Sequence, residues 1–276
     1  MSTAWTLTKA YQGAGGDVRW DRMGSGPPLV LLHGTPFSSY VWRRIAHALA
    51  GRWTVYVWDM LGYGASEKRD GQDVSLAGQT RLFTELLDHW QLEKPAVVAH
   101  DFGGAVSLRT LLLKQRCYRC LVLIDVVALA PWGSPFFELV RAHADVFEQL
   151  PSYIHEAILA AYIGNASHTP LPDDTLKALT QPWLGSEGQR AFYRQIAQAD
   201  QHHTDEIEPR YGELDLPVLI LWGREDSWIP VAKAHELNAA IPGAKLQILD
   251  GAAHLIQEDA PEQLLQHLTR FLLSHA

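Results

Sequence analysis

Six short runs rich in branched apolar residues recur along the chain, at 29–32, 54–58, 96–99, 121–124, 218–221 and 246–249, with helical patterns such as 45–50 and 82–87 between most of them. A continuous apolar run of that length predicts a strand covered on both faces. Strands that alternate with helices are joined by crossovers, so the expected fold class is α/β, a mostly parallel sheet flanked by helices. Two earlier stretches, 5–11 and 18–23, predict an antiparallel edge. The alternation stops between about 131 and 213, where helical stripes follow one another without strands. Phe136, Leu139, Val140, Phe147 and Leu150 form one stripe; Ile154, Ala157, Ile158, Ala161 and Tyr162 form the next. The expected organisation is a core at 1–130, an inserted helical cap at 131–212 and the rest of the core at 213–276, and 47% hydrophobic residues suffice to fill it.

Sites in parallel sheets form beyond the carboxyl ends of the strands, so the polar residues there carry the functional reading. The sharpest corner is "VVAHDFGGAV" at 97–106, where a strand stops on Asp101 and a helix starts at Gly103-Gly104. Its spacing matches the Gly-x-Ser-x-Gly turn that exposes a serine nucleophile, with small neighbours to admit strained backbone. Here the exposed residue is a carboxylate, and because no Gly-x-Ser-x-Gly occurs anywhere, serine esterase chemistry is disfavoured. His33-Gly34-Thr35-Pro36, Asp125, Asp226 and His254 follow other strands. A nucleophile, two candidate acids and a histidine therefore stand in the chain order that such a turn requires.

An aspartate, with a reference pKa of about 3.9, is ionised at neutral pH and attacks an electrophilic sp3 carbon without a base. The product is an ester of Asp101, and His254 would activate the water that cleaves it. The oxyanion then forms on the enzyme's own side chain, where the backbone N–H groups of Thr35 and Phe102 are placed to receive it. Pro36 has no N–H to offer. Either Asp226 or Asp125 can orient the imidazole.

These strings together resemble the α/β-hydrolases, in the branch with an aspartate nucleophile that includes epoxide hydrolases and haloalkane dehalogenases. "HGTPFSSYVWRRI" resembles the oxyanion loop, "VWDMLGYGAS" the turn beside the elbow, "AHDFGG" the elbow itself and "GAAHLIQEDAPE" the histidine segment. "WGREDSWIP" has the usual family form of the acid loop, which favours Asp226, while some dehalogenases carry their acid at the position of Asp125. In "AFYRQ", Tyr193 resembles the cap tyrosine that holds an epoxide oxygen. Tyr153 or Tyr162 would be a second phenol, and Trp183 and Phe37 further substrate contacts. The chain departs from the halide-binding pattern: Phe102 replaces the elbow Trp, Thr35 replaces an Asn, and only Trp183 or Trp132 can supply an indole. It also lacks the Arg that fluoroacetate dehalogenases place after the nucleophile. The resemblance implies a hydrolase that opens epoxides to diols, with haloalkane or haloacid dehalogenation as the alternative. A non-catalytic small-ligand-binding protein on the same scaffold is the alternative of another class.

With 23 basic and 31 acidic residues, net −8, and no Lys/Arg run, nucleic acids and anionic membranes are poor partners. No apolar run approaches the roughly 18 residues of a membrane span, and "MSTAWTLTKAYQ" lacks signal-peptide features, so a cytoplasmic location is expected. Expected partners are a small apolar organic substrate and water. Neither cofactor nor metal is expected: Cys117 and Cys120 lack a second pair, and Leu159 and Ala239 stand where zinc motifs begun at His155 and His235 need a second histidine. His202-His203, beside Asp205 and Glu206, point apart on a helix and read as a solvated helix end.

Overall fold

The computed structural model describes residues 5–275. Strands β1 (Lys9–Gly13) and β2 (Gly16–Met23) form a hairpin around Ala14-Gly15, so the edge expected from residue 5 begins only at Lys9. The chain continues through β3 (Pro28–Leu32), α1 (Arg43–Leu49), β4 (Thr54–Trp58), α2 (Leu76–His89), β5 (Ala96–His100), α3 (Phe102–Lys114) and β6 (Cys120–Ile124). A helical insert follows: α4 (Pro135–Ala142), α5 (Ala144–Phe147), α6 (Ser152–Gly164), α7 (Asp173–Thr180), α8 (Gly185–Ala197) and α9 (His202–Asp205). The last part is β7 (Val218–Gly223), α10 (Ala232–Ala240), β8 (Lys245–Leu249), α11 (Ile256–Asp259) and α12 (Pro261–Ser274).

The strands form one sheet in the order β1-β2-β4-β3-β5-β6-β7-β8, parallel from β4 to β8, with the hairpin antiparallel at one edge. Every residue of β5, β6 and β7 is buried, as continuous apolar runs require when helices cover both faces. The edge strand β8 instead alternates, with Lys245 and Gln247 outward. Helix α2 shows the matching pattern: Leu76, Leu82, Phe83, Leu86 and Leu87 are buried, and the Ser75 hydroxyl caps its start by accepting the Gly78 N–H at 3.1 Å. Because β4 and β5 flank β3 on opposite sides, the winding reverses there and opens a crevice beyond the ends of β3 and β5. Leu32 pairs with Ala99, His100 with Ile124, and Ile124 with Leu221, so four strands deliver their following loops at one level.

The insert departs from the expected stripes. At α6 the buried residues are His155, Leu159 and Ile163, and Ala157 and Ala161 face outward. The helix is turned from its apolar stripe because His155 is satisfied inside, between the Tyr193 hydroxyl at 2.9 Å and the Trp183 carbonyl at 3.0 Å. The preceding stripe is broken at His143, and Leu139 is 52% exposed, whereas Phe137 and Val140 are buried. Among the described residues no helix is long and apolar enough to cross a membrane.

Candidate active site

Strand β5 ends on His100, and Asp101 turns the chain with φ 49° and ψ −119° before α3 begins. Such a conformation costs a non-glycine residue about 1–3 kcal/mol and persists only where its surroundings over-determine it. Here the Asp101 N–H donates to the Ile124 carbonyl at 3.2 Å, and its carbonyl accepts from Gly104 at 2.9 Å and Val127 at 3.2 Å. Close packing completes the constraint. A Cβ on Gly34 would lie 2.3 Å from the Asp101 side chain, and one on Gly104 would lie 2.3 Å from Val126. Gly104→Ala is therefore expected to lose about 1–3 kcal/mol through overpacking, seen as a Tm lowered by several degrees in thermal denaturation. An unchanged Tm would contradict this account of the elbow.

The Asp101 carboxylate reaches two groups. Its Oδ1 accepts the Thr35 N–H at 2.7 Å, and its Oδ2 lies 3.5 Å from His254 Nε2, too long for a full hydrogen bond but within charge-pairing distance. Phe102, as the first residue of α3, has an N–H without an intrahelical acceptor. His254 is fully buried, and its Nδ1 donates to Asp226 Oδ2 at 2.9 Å. The other Asp226 oxygen accepts the N–H groups of Trp228 at 2.7 Å and Ile229 at 2.9 Å, which fixes the carboxylate plane. Burial alone would push the His254 imidazole down; the charge and hydrogen bond of Asp226, with the Asp101 carboxylate, overcome it and hold the ring well above its usual range. His100 braces the loop by donating from Nε2 to the His254 carbonyl at 2.8 Å. Burial, and then the neighbouring His254 charge, take His100 down to about 3, so it stays neutral.

Asp125 occupies a different place. It ends β6 at φ 44°, and its Oδ1 accepts the Gly223 N–H at 2.8 Å. Burial and the adjacent Asp226 charge push its carboxyl well above the usual range. The hydrogen bond to the imidazole belongs to Asp226, and Asp125, buried, is bonded to the Gly223 N–H instead.

A chamber of about 30 Å³ opens over Asp101, walled by Thr35, Phe102, Trp132, Phe137, Tyr162 and Trp228 among others. The sequence-predicted contacts divide around it. Phe37 is buried outside the chamber wall, its ring 5.9 Å from Trp228 and 6.1 Å from His254. Trp183 donates its indole N–H to the Pro36 carbonyl at 2.7 Å, and Trp132, though in the wall, donates to Thr204 Oγ1 at 2.8 Å. Tyr193 lies outside the wall. Because His155 Nε2 donates to Trp183, its Nδ1 accepts, and the Tyr193 hydroxyl is spent on it; burial pushes that phenol up to about 12. Tyr153 is 70% exposed. The phenol that does line the chamber is Tyr162, raised by burial and by the nearby Asp101 charge. Sequence reasoning also missed Gln195, which accepts the Thr35 hydroxyl at 2.6 Å and the Tyr63 hydroxyl at 2.9 Å and so ties α8 to the loop after β3. Its position two residues after Tyr193 was the available signal.

The alpha/beta hydrolase fold family matches residues 27–261. The chain belongs to that family. This hydrolase is similar to an alpha/beta hydrolase fold protein from Burkholderia ambifaria, with a TM-score of 0.94, 47% identity and coverage of 96% of this chain and 98% of that one. It also resembles the haloalkane dehalogenase DatA from Agrobacterium tumefaciens (TM-score 0.82, 24% identity, 97% of each chain). A third likeness is to the epoxide hydrolase CorEH (TM-score 0.83, 21% identity, 96% of this chain and 98% of that one). The last two likenesses speak for the fold.

Proposed function

We propose that this hydrolase opens small apolar epoxides to diols through an ester on Asp101, with the helical insert acting as a cap over the strand ends. The observation that carries the reading is the donor set of the chamber. Phe102 offers no side-chain donor, and the indoles of Trp132, Trp183 and Trp228 are committed elsewhere, while the Tyr162 phenol faces the same chamber as Asp101. A leaving halide needs N–H donors; an epoxide oxygen becomes an alkoxide on the same carbon skeleton and needs a hydroxyl that can give it a proton.

In the first half, Asp101 attacks a ring carbon, the carbon–oxygen bond breaks, and the alkoxide takes the Tyr162 proton. Ester formation removes the Asp101 charge, one of the groups that hold His254 protonated. His254 therefore releases its proton, which restores the phenol, and becomes a neutral base when one is needed. In the second half it takes a proton from water, and the hydroxide adds to the Asp101 carboxyl carbon. The oxyanion sits at the Thr35 and Phe102 N–H groups. Collapse expels the diol oxygen, which takes the remaining proton of the added hydroxide, and leaves Asp101 ionised and His254 protonated.

Dehalogenation uses the same ester, and the likeness to DatA favours it as the second reading. A screen of epoxides beside haloalkanes, reading diol and halide, separates the two. Tyr162→Phe keeps the ring and removes only the donor, so alkylation by epoxides is expected to fall by about tenfold or more, the effect of a lost hydrogen bond to a developing charge. Tyr193→Phe is expected to change it little. Stopped-flow alkylation rates check both, and the reverse ranking returns the role to Tyr193.

A further inference from the structure

Trp228 follows Asp226 by two residues on the loop between β7 and α10 and touches both partners of the histidine pair. Its backbone N–H holds Asp226 Oδ1 at 2.7 Å, while its ring lies 5.0 Å from the His254 ring at an interplanar angle of 28°. The insert fixes the indole in turn. The Tyr162 ring stacks on it at 4.3 Å and 10°, and the indole N–H donates to Asn165 Oδ1 at 3.3 Å, just past the end of α6. His254 is fully buried, so a cation there is largely cut off from bulk solvent. An aromatic face within about 6 Å attracts a cation, and most strongly when it is desolvated.

We propose that Trp228 is a positioning residue that holds the His254 imidazole between its carboxylates and stabilises its protonated form through the indole face, with Tyr162 and Asn165 keeping the indole in place. The inference rests on reading His254 as the base of the proposed reaction. It assigns the insert a further task, because the residues that roof the chamber also set the ring on which ester hydrolysis depends. The other ionisable groups facing His254 are Asp226 on the same loop, Asp101 at the elbow, Asp125 at the end of β6, and His100 on β5, whose ring is 4.7 Å away. His100 stays neutral through the range in which His254 titrates. Asp125 faces the same pair, its carboxyl raised well above the usual range by burial and the Asp226 charge, so its contribution is removed in a control.

The test is a nitrogen-15 NMR titration of the His254 imidazole in the full chain, assigned by its loss in His254→Gln and repeated in an Asp125→Asn background. Trp228→Leu is expected to lower the midpoint by about one pH unit, equivalent to about 1.4 kcal/mol, and to slow single-turnover ester hydrolysis about tenfold. Trp228→Phe is expected to retain more than half of the effect. Should the leucine variant fail to fold, fluorinated tryptophan placed at position 228 keeps the shape and weakens the negative ring face. The midpoint is then expected to fall with each added fluorine. An unchanged midpoint in a folded leucine variant, or across the fluorinated series, overturns the proposal. Because the titration needs no substrate, a protein that shows the shift but turns over no epoxide contradicts the proposed reaction and leaves this inference standing.

Discussion

His254→Gln is expected to take up substrate and fail to release it. Alkylation requires the Asp101 carboxylate and a donor for the leaving oxygen, and neither is changed by the substitution. Hydrolysis of the ester requires a base for water, and glutamine is not one; general-base contributions are typically about 10²- to 10⁴-fold. Steady-state turnover should fall by that range while intact-protein mass spectrometry shows a stoichiometric adduct of the substrate's mass. Digestion should place the adduct on the peptide containing Asp101. The size of the loss follows from geometry, since the described residues put no second imidazole both at Asp101 and against a carboxylate: His100 spends Nε2 on the His254 carbonyl and is held neutral by burial. Rapid product formation by the variant, without an adduct, would remove His254 from the base role.

Asp226→Asn is the second large effect. The amide preserves shape but cannot balance an imidazolium, and it can present its NH2 to His254 Nδ1 and so force the other tautomer. In triads of this kind the loss is on the order of 10⁴ in the step that uses the base. Asp125→Asn should cost far less, because Asp125 makes no hydrogen bond to His254 and the amide oxygen can still accept the Gly223 N–H. The comparison is made by following adduct decay after a single alkylation of each variant. Equal decay in the Asp226 and native proteins, with slow decay in the Asp125 variant, would transfer the orienting role to Asp125.

The strands were legible because parallel, doubly covered strands are continuous apolar runs, and each of the six predicted runs lies within a strand or overlaps one closely. The candidate residues at strand ends were legible for the same reason: chain order fixes which loop follows which strand. What chain order does not fix is lateral reach. Asp125 and Asp226 both follow strands next to the histidine loop, and only the pairing of Asp226 with His254 at 2.9 Å, and of Asp125 with Gly223, separates them. The insert was least legible. The resemblance pointed to Tyr193 as the phenol at the substrate; Tyr193 is buried, but it meets α6 rather than the chamber, and its hydroxyl ends on His155. The rotation of α6 that brings His155 inward depends on two hydrogen bonds to residues 28 and 38 positions away, which no local pattern encodes. Trp228 and Gln195 were overlooked for a similar reason, since what they do rests on contacts with the loop holding His254 and with the loop after β3.

The measurement that bears most directly on the account is the fate of water oxygen. If Asp101 carries the ester and water attacks its carboxyl carbon, a single turnover in oxygen-18 water transfers the label to the Asp101 side chain, and the first diol released contains none. Peptide mass spectrometry after one turnover should therefore find the Asp101 peptide heavier by one oxygen-18 for oxygen-16 exchange, with label entering the diol only in later turnovers. A labelled first diol with an unlabelled Asp101 peptide would mean that water attacks the substrate itself, and would contradict the ester on which every step proposed here depends.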